Sequence, residues 1–176
     1  HTLETKLGYV FHRPELLENA LYHSSYANEH RGAGIGSNER LEFLGDAVLG
    51  FVTAEYLYTK HPDMPEGDLT RIRAALVCEE SLHEVAQYLG LGEYLRLGRG
   101  EELGGGRRRP SILADATESV FAAVYLDGGM DAARDLIHRV LLDKEQEEQV
   151  EERRRDYKTE LQELVQRKPD QTLRYE

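Results

Sequence analysis

Helical periodicity is the feature that most constrains the fold of this chain. Almost every periodic stretch in residues 1–148 repeats its apolar side chains every three or four positions. Pro14 suits the first position of a short helix, and Ser37 or Asn38 suits the N-cap of a long helix that ends near Lys60. We therefore expect an all-α domain over residues 1–148.

Proline and glycine separate the other expected helices. Pro62 and Pro65 interrupt the chain after the first long helix. The glycine-rich segment 90–106 predicts loops with at most one short helix, and the Asp-Gly-Gly sequence at 127–129 predicts a helix end. Further long helices are expected over residues 66–89, 110–126 and 131–148.

The C-terminal end has a different composition. Residues 149–156 are almost wholly charged or Gln and predict a solvated linker. Residues 157–167 are amphipathic again, and residues 172–175 have the composition of a beginning strand. We therefore expect a second, truncated α/β element over residues 157–176.

The charge of the chain is acidic, with 33 acidic and 22 basic residues and a formal net charge of −11. This balance argues against a protein that coats nucleic acid through a basic surface alone. No apolar run approaches the length of about 18 residues that spans a bilayer, so we expect no membrane partner. The single cysteine, Cys78, excludes a disulfide framework and predicts a cytoplasmic location.

Three carboxylates share one stripe of the first long helix. At about 100° per residue, Glu39, Glu42 and Asp46 fall within an arc of about 60°. No Lys or Arg follows four residues later to relieve their repulsion. Gly45 and Gly50 lie in the interior of the same helix, where glycine indicates that another element packs closely. The opposite, apolar side carries Leu41, Leu44, Val48 and Val52.

A second carboxylate pair occurs later in the chain. Asp115 and Glu118 are three residues apart, so they share one helix face, and their neighbours Ala114, Ala116 and Ser119 are small. Either acidic group could be a solvent-facing stripe. If the two stripes converge, however, they form a set of hard oxygen ligands for Mg²⁺ or Mn²⁺. Without a cation, such a convergence would be strongly destabilising.

Residues 38–46, Asn-Glu-Arg-Leu-Glu-Phe-Leu-Gly-Asp, resemble the signature of the ribonuclease III family of double-strand-specific RNA endonucleases. The resemblance implies an all-helical endonuclease domain that works as a homodimer. Each subunit would hold one metal centre, and each centre would cut one RNA strand. Further segments match the family in the same order, at residues 22–26, 65–70, 97–101 and 112–119.

The resemblance also implies roles for individual residues. The positions that match the metal-binding acids of the family are Glu42, Asp46, Asp115 and Glu118. Asp46 and Glu118 match the two catalytic acids, and Glu39 and Glu66 match accessory acids near the RNA path. Phe43 matches an aromatic residue that the family inserts into the partner subunit, although an ordinary core residue is the alternative.

Residues 157–164 resemble the first helix of a double-stranded RNA-binding domain, which reads the shape of the minor groove. The chain stops about where the first strand of that module would begin. The positions that match its groove-contacting residues are Thr159, Gln162 and Glu163.

The implied reaction is hydrolysis of double-stranded RNA by activated water, with Mg²⁺ as cofactor or Mn²⁺ in its place. The products would carry 5′-phosphate and 3′-hydroxyl ends with a short 3′ overhang, during processing of ribosomal and messenger RNA precursors. A non-catalytic helical RNA-binding module is the alternative, but it has no use for uncompensated acids. A di-iron site would need more Glu-x-x-His pairs than the one at Glu80 and His83.

Three further sets of residues lie outside the carboxylate stripes. Arg107 to Arg109 form either a mobile solvated loop, or a phosphate contact or flexible guard near Asp115. His23 and Ser25 are expected to hold the preceding helix against the first long helix. Cys78 lies in an apolar stretch and is expected to be a buried, inert thiol.

Overall fold

The computed structural model describes residues 2–143 and the residue pair Glu163 and Leu164. The expected all-α domain is confirmed for residues 2–143, where the only strand-like feature is one parallel bridge between Tyr22 and Arg96. The α-helices of this range are α1 (Thr2–Leu7), α2 (Pro14–Ala20), α3 (Ser24–Glu29), α4 (Glu39–Lys60), α5 (Glu66–Leu76), α6 (Glu79–Leu89), α7 (Leu91–Tyr94), α8 (Arg99–Leu103) and α9 (Pro110–Ile137).

The prediction of one helix over residues 66–89 is wrong, because the chain breaks between α5 and α6. Cys78 adopts an extended conformation, with φ −69° and ψ 164°. The Cys78 thiol and the Ser81 hydroxyl each donate a hydrogen bond to the Ala75 carbonyl oxygen at 3.2 Å. The side chains of the break therefore satisfy a carbonyl group at the end of α5.

The prediction of at most one short helix in residues 90–106 is also wrong, since both α7 and α8 lie there. Gly90 ends α6 in the left-handed region at φ 69°, and Gly105 adopts φ 81° after α8. These two glycines make the sharp turns that allow short helices to follow one another. A 3₁₀ turn at Gly106–Arg108 then leads into α9.

The expected helix end at residues 127–129 is a kink within α9. Gly129 has φ 86° and ψ 177°, but helical hydrogen bonding resumes beyond it. A π-helical turn, His138–Leu142, follows the helix. Beyond the kink, Arg134 Nε donates to Glu55 Oε1 of α4 at 2.7 Å.

The core is built around α4 and α9, which form the most extensive helix pair among the described residues. From Ile112 to Val124, every residue of α9 except Asp115 is buried, as expected for a helix enclosed on all sides. Each large apolar side chain that is removed from water contributes about 1.5–3 kcal/mol. None of the described helices is long and apolar enough to cross a bilayer.

The start of α4 is anchored by its neighbours. The side chain of Asn38 makes no capping hydrogen bond; it is buried and donates to the Ala20 carbonyl oxygen at 2.9 Å. Ser37 Oγ accepts from the Glu39 N–H at 3.3 Å instead. The Asn38 N–H donates to the Tyr22 carbonyl oxygen at 2.8 Å, which fixes the chain entering α4 to the segment before α3.

His23 and Ser25 are structural, but their partner differs from the expected one. His23 Nδ1 lies 2.7 Å from Ser25 Oγ and accepts from the Ser25 N–H, so it caps α3. Ser25 Oγ in turn accepts from the Gly98 N–H at 2.8 Å. The pair therefore joins α3 to the start of α8 rather than to α4.

Candidate metal centre

The backbones of α4 and α9 come into direct contact at Gly45. A Cβ atom built on Gly45 would overlap the carbonyl oxygen of Glu118, so only glycine allows this approach. The close packing expected at Gly45 is confirmed. At Gly50 the same expectation is wrong within the described chain, because nothing lies within 4 Å of a Cβ built there.

This contact brings the two carboxylate stripes together. Glu42 of α4 and Asp115 and Glu118 of α9 each offer one oxygen, and these three oxygens lie within 4.8 Å of one another. Asp46, one turn after Glu42, shares a hydrogen bond with the Glu118 carboxyl. We call Glu42, Asp46, Asp115 and Glu118 the carboxylate cluster.

Burial and mutual repulsion keep protons in the carboxylate cluster. Glu118 is only 9% exposed, and its burial, followed by its hydrogen bond and charge interaction with Asp46, raises its pKa to about 8. Burial and the neighbouring Asp115 raise the pKa of Glu42 to about 7. Burial also raises the pKa of Asp115, although the hydrogen bond from Glu42 acts in the opposite direction.

Two small polar residues beside the acids form hydrogen bonds between α9 and the neighbouring helices. The buried Ser119 hydroxyl contacts the carbonyl oxygens of Asn38 at 3.2 Å and Asp115 at 2.9 Å, which joins α9 to the start of α4. The Thr117 hydroxyl contacts the carbonyl oxygens of Leu82 at 3.2 Å and Leu113 at 2.8 Å, which joins α9 to α6. The acids therefore sit on a framework of three helices that is hydrogen-bonded on both sides.

The two accessory acids lie at the starts of different helices. Glu39 is exposed at the start of α4, and its charge helps to raise the pKa of Glu42. Glu66 is exposed at the start of α5 and accepts a hydrogen bond from Thr70 Oγ1 at 2.8 Å. Glu66 lines a cavity between α4 and α5 and does not join the carboxylate cluster within the described chain.

Glu79 is an acid near the cluster that sequence reasoning missed. It begins α6, and its negative charge helps to raise the pKa of Asp115. Nothing in its spacing pointed to the site, because residues 66–89 were expected to form one continuous helix. Only the break at Cys78 brings the first turn of α6 near Asp115.

The remaining predicted residues divide between the surface and the undescribed part of the chain. Phe43 is 83% exposed, so the alternative of an ordinary core residue is wrong. Cys78 is exposed rather than buried. Glu163 is helical and exposed, whereas Thr159 and Gln162 lie outside the described residues.

Two of the three consecutive arginines hold their own loop together. Arg107 Nη1 donates to the carbonyl oxygens of Gly92 at 2.7 Å and Leu95 at 2.8 Å, and its Nε pairs with Glu102 at 3.0 Å. Arg109 pairs with Glu101. A freely solvated loop does not fit these contacts, and only Arg108 among the three has its charge uncommitted to such pairs in residues 2–143.

The chain is similar in sequence to a known protein family and to several of its members. A family model described as ribonuclease-III-like matches residues 13–145. Ribonuclease 3 of Desulforamulus reducens is 50% identical over 173 residues, which cover 98% of this chain and 70% of that protein. Ribonuclease 3 of Dehalococcoides mccartyi is also 50% identical over 173 residues, covering 98% of this chain and 73% of the relative.

A solved structure shares the fold as well as the sequence. The nuclease domain of ribonuclease III from Campylobacter jejuni, described for structural flexibility in a region involved in dimer formation, is 42% identical. It superposes with a TM-score of 0.75, covering 80% of this chain and 94% of that one. Because the family model matches residues 13–145 and relatives match nearly the whole chain, this protein belongs to the ribonuclease III family of endoribonucleases.

Proposed function

We propose that this chain hydrolyses double-stranded RNA in a metal-dependent reaction that leaves 5′-phosphate and 3′-hydroxyl ends with a short 3′ overhang. The observation that carries the proposal is the convergence of Glu42, Asp115 and Glu118 within 4.8 Å, with Asp46 hydrogen-bonded beside them. Its proposed substrates are precursors of ribosomal and messenger RNA in the cytoplasm. A single exposed thiol, Cys78, fits a reducing compartment.

The donor set fits Mg²⁺ or Mn²⁺. Its members are carboxylate oxygens without His or Cys, which is the chemistry that hard divalent cations prefer. The raised pKa values of Glu42 and Glu118 show that gathering these acids is costly unless protons or a cation compensate their charge. When bound, Mg²⁺ supplies the positive charge that activates water and offsets the charge developing on the phosphate.

The members of the carboxylate cluster differ in their exposure to solvent, and their proposed roles follow from this difference. Glu118 and its neighbours Glu42 and Asp115 are at least half-buried, so they would hold the cation in a fixed place. Asp46 is exposed and hydrogen-bonded to Glu118, so it would complete the metal-binding set on the side that faces the RNA, and Asp46 and Glu118 are the proposed catalytic acids. Glu39, exposed on the same side of α4, would line the path of the RNA.

The net charge of −11 shapes how RNA would bind. Acidic side chains repel phosphates, so contact near the carboxylate cluster requires bound cations or local arginines. Thr159, Gln162 and Glu163 are proposed as further contacts across the minor groove of the RNA.

A gel of duplex RNA tests the proposal directly. The chain is incubated with a long, fully paired RNA in Mg²⁺ and, separately, in excess chelator. Cleavage in Mg²⁺ and intact RNA in chelator would support metal-dependent hydrolysis. Retarded but uncut RNA under both conditions would contradict it and favour the RNA-binding module instead.

A homodimer is proposed from the exposed face of α4. Phe43, Phe51 and Tyr58 are 83%, 53% and 76% exposed, and they lie along one side of the helix with the open position Gly50. A cavity of about 440 Å³ between α4 and α5 lies beside this face, lined by Phe51, Tyr58 and Glu66 among others. In a two-fold pair, Phe43 of one copy can enter this cavity of the other, as a self-complementary interface requires.

Phe43→Ser should convert the dimer to a monomer, because it removes the most exposed aromatic anchor of the α4 face. Light scattering coupled to gel filtration would measure the mass. Leu103→Ser is the matched control, since Leu103 is 90% exposed on α8 and should leave the dimer intact. A Phe43→Ser protein that keeps the mass of two subunits would contradict the proposed interface.

The stability of the metal-free protein should fall as the pH rises from about 5 to 8. Glu118 and Glu42 have folded-state pKa values of about 8 and 7, whereas the ordinary pKa of a glutamate side chain is 4.5, so the folded chain binds more protons than the unfolded chain in this range. Deprotonation therefore favours unfolding.

Mg²⁺ compensates these charges only when the carboxyls are ionised, so it should raise Tm more at pH 8.5 than at pH 6. Thermal denaturation in chelator and in Mg²⁺, at both pH values, measures the two effects. Glu118→Gln should flatten the pH dependence of Tm in chelator. An equal Mg²⁺ effect at both pH values would contradict the assignment.

A further inference from the structure

A second cavity lies outside the carboxylate cluster, enclosed by α1, α2, α3 and α7. Its volume is about 480 Å³, which is large enough for a single nucleotide base with room for water. Three tyrosines line it, Tyr22, Tyr26 and Tyr94, together with the charged residues Glu4, Glu18 and Arg96. Glu4 is already engaged, because its Oε2 accepts from the Phe11 N–H at 2.9 Å. None of these residues contributes to the carboxylate cluster.

Two of these tyrosines, Tyr22 and Tyr26, form part of a stack of rings. The ring centroids of Tyr22 and Tyr26 are 5.3 Å apart and their planes meet at 20°. Tyr26 also stacks on His30, with centroids 4.1 Å apart and planes at 28°. Rings that are already stacked lose little conformational freedom when a further flat molecule binds against them. Stacked aromatic side chains are the surfaces on which proteins hold unpaired bases of nucleic acids.

The backbone fixes Arg96 beside Tyr22. These residues form the parallel bridge, in which the His23 N–H donates to the Arg96 carbonyl oxygen at 3.1 Å and the Arg96 N–H donates to the Leu21 carbonyl oxygen at 2.9 Å. Glu18 acts from α2 on the same tyrosine: its charge helps to raise the pKa of Tyr22, after burial, while Arg96 lowers it. The cavity thus has an anion and a cation next to a ring.

Glu18 and Arg96 are both exposed, and neither is in an ion pair within residues 2–143. Their hydrogen-bonding groups are therefore available to a ligand. A carboxylate accepts two parallel hydrogen bonds from the adjacent N–H groups on the pairing edge of guanine, which uracil lacks. A guanidinium binds phosphate oxygens.

We propose that this cavity binds an unpaired guanine nucleotide of an RNA, with the base against the tyrosine stack, its pairing edge on Glu18 and its phosphate toward Arg96. The choice of RNA rests on the proposed function. A guanine inside a duplex has its pairing edge occupied, so the cavity would select bulged, looped or overhanging nucleotides.

The cavity is connected to the carboxylate cluster through the backbone at Tyr22 and His23. Tyr22 is followed directly by His23. Burial lowers the pKa of His23, whereas the negative charges of Asp115 and Glu39 act to raise it by a smaller amount. The carbonyl oxygen of Tyr22 also anchors the start of α4. An RNA that places an unpaired guanine in the cavity would therefore contact the segment that leads into α4, the helix that carries Glu42 and Asp46.

Titration calorimetry with guanosine 5′-monophosphate and uridine 5′-monophosphate tests the proposal on the whole chain, in chelator so that no metal holds the phosphate. We expect the guanosine nucleotide to bind about tenfold more tightly. Glu18→Gln should reduce this preference to about twofold or less, since the amide offers one acceptor in place of the bidentate carboxylate. Tyr22→Leu should weaken both nucleotides about fivefold or more.

Tyr88→Leu is the matched control, because Tyr88 is 63% exposed on α6 and does not line the cavity. Circular dichroism confirms that each variant is folded. Equal affinities for the two nucleotides in the unaltered protein, or an unchanged preference in Glu18→Gln, would overturn the proposal. The duplex-RNA gel is independent of this result, because nucleotide binding in chelator requires neither metal nor cleavage.

Discussion

Glu118→Gln should reduce RNA cleavage by about 10³-fold or more, which corresponds to about 4 kcal/mol in the activation free energy. Glu118 is the most buried member of the carboxylate cluster. It shares a hydrogen bond with Asp46 and interacts electrostatically with Glu42 and Asp115. The amide keeps the size of the side chain but removes one negative charge and one oxygen donor for the cation. Single-turnover cleavage of a labelled duplex in Mg²⁺ measures the effect.

The Glu118→Gln variant should lose RNA cleavage but remain folded. Removing a buried, repelled carboxyl should leave Tm in chelator at pH 8 unchanged or higher, and the dimer and the affinity for RNA should persist. Glu80→Gln is the matched control, because Glu80 is an exposed acid in the first turn of α6 and should cut normally. Normal cutting by Glu118→Gln in Mg²⁺ would refute the assignment of the centre.

Gly45→Ala should lower the free energy of unfolding by about 3 kcal/mol or more and abolish cleavage as well. The added methyl group overlaps the Glu118 carbonyl oxygen, which is backbone and cannot rotate away. The two helices must then separate at the position where the carboxylate cluster converges. Chemical denaturation measures the stability, and the duplex-RNA gel measures the loss of cutting.

Gly67→Ala provides the comparison for this prediction. Gly67 is also helical, in α5, but nothing lies within 4 Å of a Cβ built there. Alanine is the better helix former, so this variant should be unchanged or more stable by up to about 1 kcal/mol. A Gly45→Ala protein with the same stability as Gly67→Ala would show that the helices do not meet closely at Gly45.

The helical content and the acidic stripes could be predicted because both depend on local periodicity. Glu42 and Asp46 share a face of α4 for geometric reasons that hold in any helix, and the same is true of Asp115 and Glu118. Their convergence depends on how α4 packs against α9, which no spacing encodes. Gly45 and Gly50 gave identical sequence signals, yet only Gly45 touches another backbone.

Other misjudged positions show where tertiary contacts override local preference. Asn38 has the chemistry of an N-cap, but its amide satisfies the carbonyl oxygen of Ala20, a buried group that local sequence does not reveal. The break at Cys78 lacks Gly or Pro, so a continuous helix was the natural prediction for residues 66–89. Glu79 was overlooked for the same reason.

The contact between Arg134 and Glu55 gives the second segment of α9 its own attachment to α4. Arg134 holds α9 to α4 beyond the kink, ten residues along α4 from Gly45, or about 15 Å on a regular helix. The kink at Gly129 separates the segment of α9 that carries the acids from the segment that carries Arg134, so each segment has its own attachment to α4. A change of angle at Gly129 would therefore leave the acids of α9 beside those of α4, because the Gly45 contact holds that segment independently of Arg134.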